Sequence, residues 1–189
     1  MRLLSAFLLC TGLFTPLLTA PVHAQLPDTL YGFDPVLYNG RHYTYVTPRN
    51  ADGSPFLYTS FAKGDLTIRG KVYAGVVLNL DILNQALVMK YVDHQGAAVM
   101  LEIPDTWLTR ARIGTDEFIP VVRDDGTHAY NQVIGEGGIR FLYALRKDLN
   151  LDNRYGSPQY VFSKVIRSQY AEIQGTLFAF RNNRSFVHL

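Results

Sequence analysis

The stretch GVVLNLDILNQALVMKY, residues 75 to 91, has the clearest alternation of apolar and polar residues in the chain. A two-residue loop at Asn84–Gln85 would pair Leu80 with Met89. Side chains alternate between the two faces of a strand. One face of the hairpin is then wholly apolar or aromatic, and it consists of Leu78, Leu80, Ile82, Leu87, Met89 and Tyr91. A slip of one residue would mix the two faces, so we predict an antiparallel hairpin in this register.

The opposite face of this hairpin carries Asn79, Asp81 and Lys90, diluted by Val88. Polar and charged residues on neighbouring strands commonly form such cross-strand sets on a solvated sheet face. We therefore predict that this face is exposed to solvent. The alternative is a ligand site, which would need further residues to converge there. Asn79, Asp81 and Lys90 are the candidate ligand-binding residues on the surface.

Strand patterns recur along the rest of the chain at intervals of about ten residues, with turn residues between them. The turns are expected at Gly70–Lys71, Asp93–Gly96, Gly114, Asp125–Gly126 and Gln174–Gly175. Residues 139–149 could also form a helix, but they are rich in β-formers, and we predict a strand. The pattern predicts an all-β fold, mainly an antiparallel meander in the form of a roll, half-barrel or sandwich.

The first 24 residues have the features of a secretory signal peptide. Arg2 precedes a largely apolar run, and Val22-His23-Ala24 fits a cleavage site before Gln25. The apolar run is short and is broken by a glycine and a proline, which argues against a membrane anchor. Cys10 lies inside the apolar run, which argues against a lipoprotein. We expect export to the periplasm or the extracellular space, with no transmembrane span after cleavage.

The remaining chain divides by composition into two parts. Residues 25–56 contain four prolines and three glycines, and they are predicted to be an extended lead-in with one short strand, Arg41 to Val46. Residues 57–189 are predicted to be a single β-rich domain. Residues 182–189 resemble the start of a helix inside an apolar run, which favours a chain that continues beyond residue 189.

Composition excludes several classes of function. The chain has one cysteine, Cys10, so an intrachain disulfide is impossible and the predicted mature chain of 165 residues has no thiol nucleophile. That mature chain carries 17 basic and 16 acidic residues and no basic block of five or more. The sequence therefore lacks the clustered positive charge that is typical of nucleic-acid-binding proteins.

Motifs that carry chemistry are missing from the sequence. The four mature histidines, His42, His94, His128 and His188, are at least 34 residues apart, and His94 and His128 are expected in solvated turns. Residues 148–159 begin like a calcium loop but lack its glycine and its final glutamate, so a polar connecting loop is predicted. We predict no catalytic residue, no metal and no cofactor.

Two stretches resemble an uncharacterised family of exported proteins that is abundant in Bacteroidota. In that family a strand with G-x-x-Y runs into YDIYNQ, and a later hairpin precedes a serine-phenylalanine pair and a helix. The matching residues are Gly70, Tyr73, Asp81, Asn84, Gln85, Gly175, Leu177, Ser185 and Phe186, whereas Leu80 and Leu83 stand where tyrosines are usual. The resemblance covers residues 35–189. It implies a signal peptide, a β-rich fold and a C-terminal helical extension, and it implies no activity.

Three functions are compatible with these features. The first is a non-enzymatic envelope protein that acts as a binding or adaptor module, with an envelope protein or a small apolar or sugar ligand as its partner. The second is a periplasmic carrier that holds an apolar ligand in a barrel-like cavity. The third and weakest is a hydrolase with a scattered site. An open interior would favour the carrier, whereas a filled core with an exposed sheet edge would favour the adaptor.

Overall fold

A computed structural model describes residues 37, 40–45, 48 and 50–181, except 94, 124, 125, 136, 154, 155 and 157. Thirteen strands form in this part of the chain. They are β1 (Arg41–His42), β2 (Ala62–Ile68), β3 (Lys71–Asp81), β4 (Ala86–Val92), β5 (Ala98–Ile103), β6 (Leu108–Ile113), β7 (Asp116–Val122), β8 (His128–Gly135), β9 (Arg140–Arg146), β10 (Leu149–Asp152), β11 (Gln159–Phe162), β12 (Ile166–Ile173) and β13 (Thr176–Phe180).

Eleven of these strands form one antiparallel sheet in the order β1-β5-β4-β3-β2-β6-β7-β8-β9-β12-β13. Most neighbours in this order are also consecutive in the chain, which is the definition of a meander. Strands β10 and β11 pair separately, through Leu149 with Phe162 and Asp152 with Gln159. The predicted all-β antiparallel fold is confirmed. No helix within the described residues is long and apolar enough to cross a membrane.

The hydrophobic core lies on one face of the large sheet. Strands β2 to β4 contribute Leu66, Leu78, Leu80 and Leu87, which are inaccessible to solvent. Strands β6 to β9 add further buried side chains, which are Ile113, Phe118, Tyr130 and Leu145. The apolar face predicted for the first hairpin is therefore confirmed as core, because alternation along the strands places all these side chains on one side.

The predicted register of the first hairpin is wrong by two residues. Leu80 pairs with Leu87 and Asp81 with Ala86, so the loop spans residues 82–85 rather than Asn84–Gln85 alone. Asp81 Oδ1 accepts hydrogen bonds from the backbone N–H groups of Leu83 and Asn84, each at 2.9 Å. This aspartate-capped turn replaces the tight loop. A shift of two residues preserves both faces, which is why the predicted core survives.

The first hairpin turn also contacts the far side of the sheet. The Gln85 amide donates to the carbonyl of Leu145 at 2.9 Å and accepts from the N–H of Tyr130 at 3.0 Å. The N–H of Lys147 donates to the carbonyl of Ile82 at 3.2 Å. The sheet is therefore curled, because β3 and β4 are separated from β8 and β9 by three strands in the order of the sheet.

Several local predictions can be compared with the structure. The strand predicted in residues 139–149 is confirmed as β9, and the turn at Gln174–Gly175 is confirmed by the pairing of Ile173 with Thr176. The predicted polar loop at 148–159 contains strand β10 and the start of β11. The lead-in strand predicted from Arg41 to Val46 is shorter among the described residues 41–45, of which Arg41–His42 form β1. The predicted signal peptide (1–24) and helix start (182–189) lie outside the described residues.

Candidate functional site

The predicted solvent-exposed polar face of the first hairpin is largely buried. Asn79 is 1% exposed and Asp81 is 0% exposed, whereas Lys90 is exposed as predicted. The reason is that the end of the lead-in and the two residues that follow it, together residues 54–58, fold back over the end of β3. Phe56 bridges to Asp81, and the N–H of Leu57 donates to the Leu80 carbonyl at 2.8 Å. Alternation assigned these residues to the correct face, but that face is covered.

Asn79 holds the lead-in to the sheet through its side chain. Its Oδ1 accepts from the N–H of Tyr58 at 3.3 Å, and its Nδ2 donates to the carbonyl of Tyr58 at 2.9 Å. Oδ1 also accepts from the N–H of Leu80 at 2.8 Å. The amide thus makes the two bonds that a neighbouring strand would make. Because a buried amide needs such partners, the role of Asn79 is structural rather than ligand-binding.

Asp81 is the centre of a second buried network. Its Oδ2 accepts from the Tyr43 hydroxyl at 2.6 Å and from Asn84 Nδ2 at 2.7 Å, in addition to the two turn bonds to Oδ1. Four donors satisfy a carboxylate that has no access to water. Burial of Tyr43, followed by its bond to Asp81, raises the pKa of the phenol above its usual range. The Tyr43 ring is therefore fixed as a neutral donor.

Lys147 connects the lead-in with β9 from the other side. Its Nζ donates to the carbonyl of Ser54 at 2.9 Å and to that of Phe56 at 2.6 Å. Burial lowers the pKa of Lys147, and the negative charge of Asp81 opposes this shift. The ammonium group thus supplies the hydrogen bonds that a neighbouring strand would otherwise donate to these two carbonyl groups.

An aromatic cluster covers the same side of the hairpin. The Phe56 ring centroid lies 5.7 Å from that of Tyr43, 5.3 Å from that of Phe61 and 6.1 Å from that of Tyr45, which is stacked at 12°. Lys90 Nζ lies 6.0 Å from the Phe61 centroid. Lys90, the third predicted candidate, therefore belongs to the rim of this cluster rather than to a site shared with Asn79 and Asp81.

A polar cleft of about 430 Å³ opens beside the Asp81 network. It lies where β1 meets β5 and the first hairpin turn. Its lining residues are Arg41, His42, Tyr43, Thr44, Asn84, Ala86 and Glu102. The volume is within the range of small-molecule sites, about 300–1,000 Å³. Sequence reasoning missed Arg41, Tyr43 and Glu102, because no local pattern connects two segments about 60 residues apart.

The wall of the cleft is formed by a paired arginine and glutamate. Arg41 Nη2 donates to Glu102 Oε1 at 2.8 Å and to Oε2 at 2.7 Å, and Nε donates to Oε2 at 3.2 Å. The guanidinium is 78% exposed and the carboxylate 27% exposed. A guanidinium has five N–H donors and a carboxylate about four acceptor sites. Both groups therefore retain hydrogen-bonding capacity towards a ligand.

Several titratable side chains outside the cleft form pairs at the surface. Glu117 pairs with Arg110 at 2.6 Å and Glu172 with Arg140 at 3.1 Å. His128 is exposed, as predicted, but it is the first residue of β8 rather than part of a turn, and it contacts Asp105. His94 and His188 lie outside the described residues. Among the described residues, no group of three or more histidines, cysteines, aspartates and glutamates could hold a metal ion.

Two further clefts are lined by described residues. One, of about 650 Å³, lies at the β12–β13 edge and contains Arg167, Tyr170 and Arg181. The other, of about 300 Å³, lies on the β10–β11 hairpin. Neither these clefts nor the β1–β5 cleft has a wall formed by the core cluster.

Comparison with protein-family models, with curated proteins and with solved structures found no match to this chain.

Proposed function

We propose that this chain is a non-enzymatic binding module, exported to the periplasm or the extracellular space, that holds a small neutral polar ligand of the sugar class. The site is the cleft between β1, β5 and the first hairpin turn. The observation that supports this proposal is the convergence of the Arg41–Glu102 pair, the Asn84 amide and the Thr44 hydroxyl on one open volume. Vicinal hydroxyl groups of a sugar both donate and accept, and they match such a mixed set of groups.

Two parts of the cleft are held in place, one by the β1–β5 ladder and the other by a buried carboxylate. Arg41 and Glu102 are directly opposite each other in the β1–β5 ladder. Asn84 lines the cleft, and its Nδ2 is held by the carboxylate of buried Asp81. Preorganised groups bind more tightly because less conformational freedom is lost on binding. The arrangement therefore favours binding at this surface.

The apolar carrier is the less favoured alternative. A carrier needs an interior volume lined by apolar side chains. The three clefts described above are open to solvent, and their walls are not built from the core cluster. The core side of strands β2 to β4 is filled by leucine side chains that have no access to solvent. These features support a ligand at the surface rather than in the interior.

Binding of a panel of neutral mono- and disaccharides, measured by saturation-transfer NMR and by calorimetry, tests this proposal. We expect one class to bind and to be recovered chemically unchanged. Glu102→Gln should weaken that binding at least about tenfold, because a charged acceptor contributes about 1.5–3 kcal/mol. Glu172→Gln is the matched control, since it alters another surface arginine–glutamate pair outside the cleft. Absence of binding, or equal losses in both variants, would refute the proposal.

A further inference from the structure

The two edges of the large sheet differ in how they are protected. Strand β1 is only two residues long and carries Arg41 and His42. Strand β13, with the sequence TLFAF, is five residues long and contains no charge, no proline and no bulge. Natural proteins usually protect sheet edges with short strands, charged residues, prolines or bulges. The β13 edge lacks all four devices, so it is suited to pairing with another strand.

The hairpin geometry identifies which backbone groups face outward from β13. Gln174 and Gly175 both have positive φ, at 50° and 80°, and Ile173 pairs with Thr176. This is a two-residue loop of the primed type, whose flanking pair exchanges hydrogen bonds. Hydrogen-bonded pairs alternate along an antiparallel ladder. Leu177 and Ala179 therefore direct their N–H and C=O groups away from β12.

Strand β12 is the only neighbour of β13 in the described sheet. We propose that β13 pairs with β13 of a second copy of this chain, antiparallel, about a two-fold axis at Phe178. Leu177 of each copy then lies opposite Ala179 of the other. Because both residues face outward, the two pairs exchange four backbone hydrogen bonds. The two-fold axis closes the assembly as a dimer, so no fibre grows from this contact.

Side chains support a second copy as the occupant. In this register Phe178 lies opposite Phe178 of the second copy in a non-hydrogen-bonded pair, where side chains approach most closely and aromatic pairs stabilise a sheet. Arg181, the first charged residue after the strand, lies opposite Gly175 rather than opposite another arginine. This register therefore pairs the outward backbone groups of the two strands and brings no like charges together. This inference is independent of the proposed ligand site, which lies on the opposite edge.

Cysteine cross-linking tests the register directly. In the full chain carrying Cys10→Ser, we expect Phe178→Cys to form a disulfide-linked dimer on mild oxidation. The Cα atoms of a non-hydrogen-bonded pair are about 4.5 Å apart, which is within the range that a disulfide spans. Leu177→Cys and Ala179→Cys are matched controls. In either variant, the cysteine of one copy and the same cysteine of the second copy would be two positions apart along the strands, too far apart to form a disulfide. Equal cross-linking of all three variants, or of none, would overturn the register.

Ala179→Pro tests the interface without disturbing the rest of the fold. Proline removes the outward N–H of Ala179 and leaves the bonds of β13 to β12 intact, as tolerated on edge strands. Sedimentation should give this variant half the mass of the wild-type dimer, and the thermal unfolding of the monomer should be unchanged. The control variant Ala179→Val should remain dimeric. A wild-type monomer in the millimolar range overturns the proposal. A monomer whose Ala179 amide exchanges slowly would instead indicate that another segment of the same chain covers the edge.

Discussion

The side chain of Gln85 accepts a hydrogen bond at 3.0 Å from the backbone N–H of Tyr130, a residue 45 positions further along the chain. Its Nε2 donates to the Leu145 carbonyl at 2.9 Å. The ladder of β8 and β9 begins one step away, where Asn131 pairs with Ala144. The amide of Gln85 thus occupies the position of the next ladder bond. A turn residue of the first hairpin thereby completes the pairing of two distant strands.

Gln85→Ala should destabilise the protein by about 2–3 kcal/mol, because it leaves the N–H of Tyr130 and the carbonyl of Leu145 without their partner. The free energy of unfolding can be measured by denaturant titration. The Tyr130 amide should also exchange faster with solvent. Gln95→Ala is a control at an exposed turn position. If both variants lost the same stability, the bridging role of Gln85 would be wrong.

Asn79→Leu should also destabilise the fold, although leucine is similar in size and more apolar. The substitution leaves the N–H and carbonyl groups of Tyr58 without the amide that pairs with them. Each buried polar group without a partner costs about 1–3 kcal/mol. Asn150→Leu changes an exposed position in β10 and should have little effect. A stable Asn79→Leu variant with a native lead-in would contradict the structural role of Asn79.

Stability should fall at alkaline pH, partly through Tyr43. Burial and the bond to Asp81 raise the pKa of Tyr43 in the folded protein, whereas an unfolded tyrosine ionises near pH 10, about its usual value. Above that pH the unfolded chain releases a proton that the folded chain retains. The stabilisation from Tyr43 is therefore present below about pH 10 and is lost as pH rises through the folded pKa.

The free energy of unfolding of wild type and Tyr43→Phe, measured against pH, tests this linkage. The variant should lose about 1.5–3 kcal/mol near neutrality, because it lacks one hydrogen bond to a buried carboxylate. Above about pH 10 its stability should decline less steeply than that of wild type, by up to about 1.4 kcal/mol per pH unit. Tyr45→Phe, at an exposed neighbour, is the control for loss of a hydroxyl. Parallel curves for wild type and Tyr43→Phe would exclude the linkage.

Gly64→Ala should destabilise the sheet by at least about 2 kcal/mol through overpacking. A Cβ at Gly64 would lie 2.0 Å from the carbonyl oxygen of Arg112, a backbone atom of the neighbouring strand that cannot move independently. Gly138→Ala is the matched control, because a Cβ there would meet nothing within 4 Å. Thermal melts of both variants provide the comparison. A native melting temperature for Gly64→Ala would show that β2 and β6 can separate without cost.

Local patterns predicted the features that depend on nearest neighbours. The loop at Gln174–Gly175 and strand β9 were predicted because turn chemistry and β-propensity act over a few residues. The register of the first hairpin was not predicted correctly. A two-residue loop and the observed four-residue loop place the same residues on the same faces, so alternation cannot distinguish them. The four-residue loop is stabilised by Asp81, whose carboxylate accepts hydrogen bonds from two backbone N–H groups of the turn.

The sequence by itself determined that this is an antiparallel β-protein and which side of each central strand faces the core, because periodicity reports on which face a residue occupies. Only the tertiary structure decided what covers the opposite face. The lead-in folds over Asn79 and Asp81 and brings Arg41 to Glu102, 61 positions away. Such contacts depend on where the chain crosses the sheet, and no short-range pattern encodes that crossing. The candidate site therefore follows from long-range packing, whereas the core follows from local alternation.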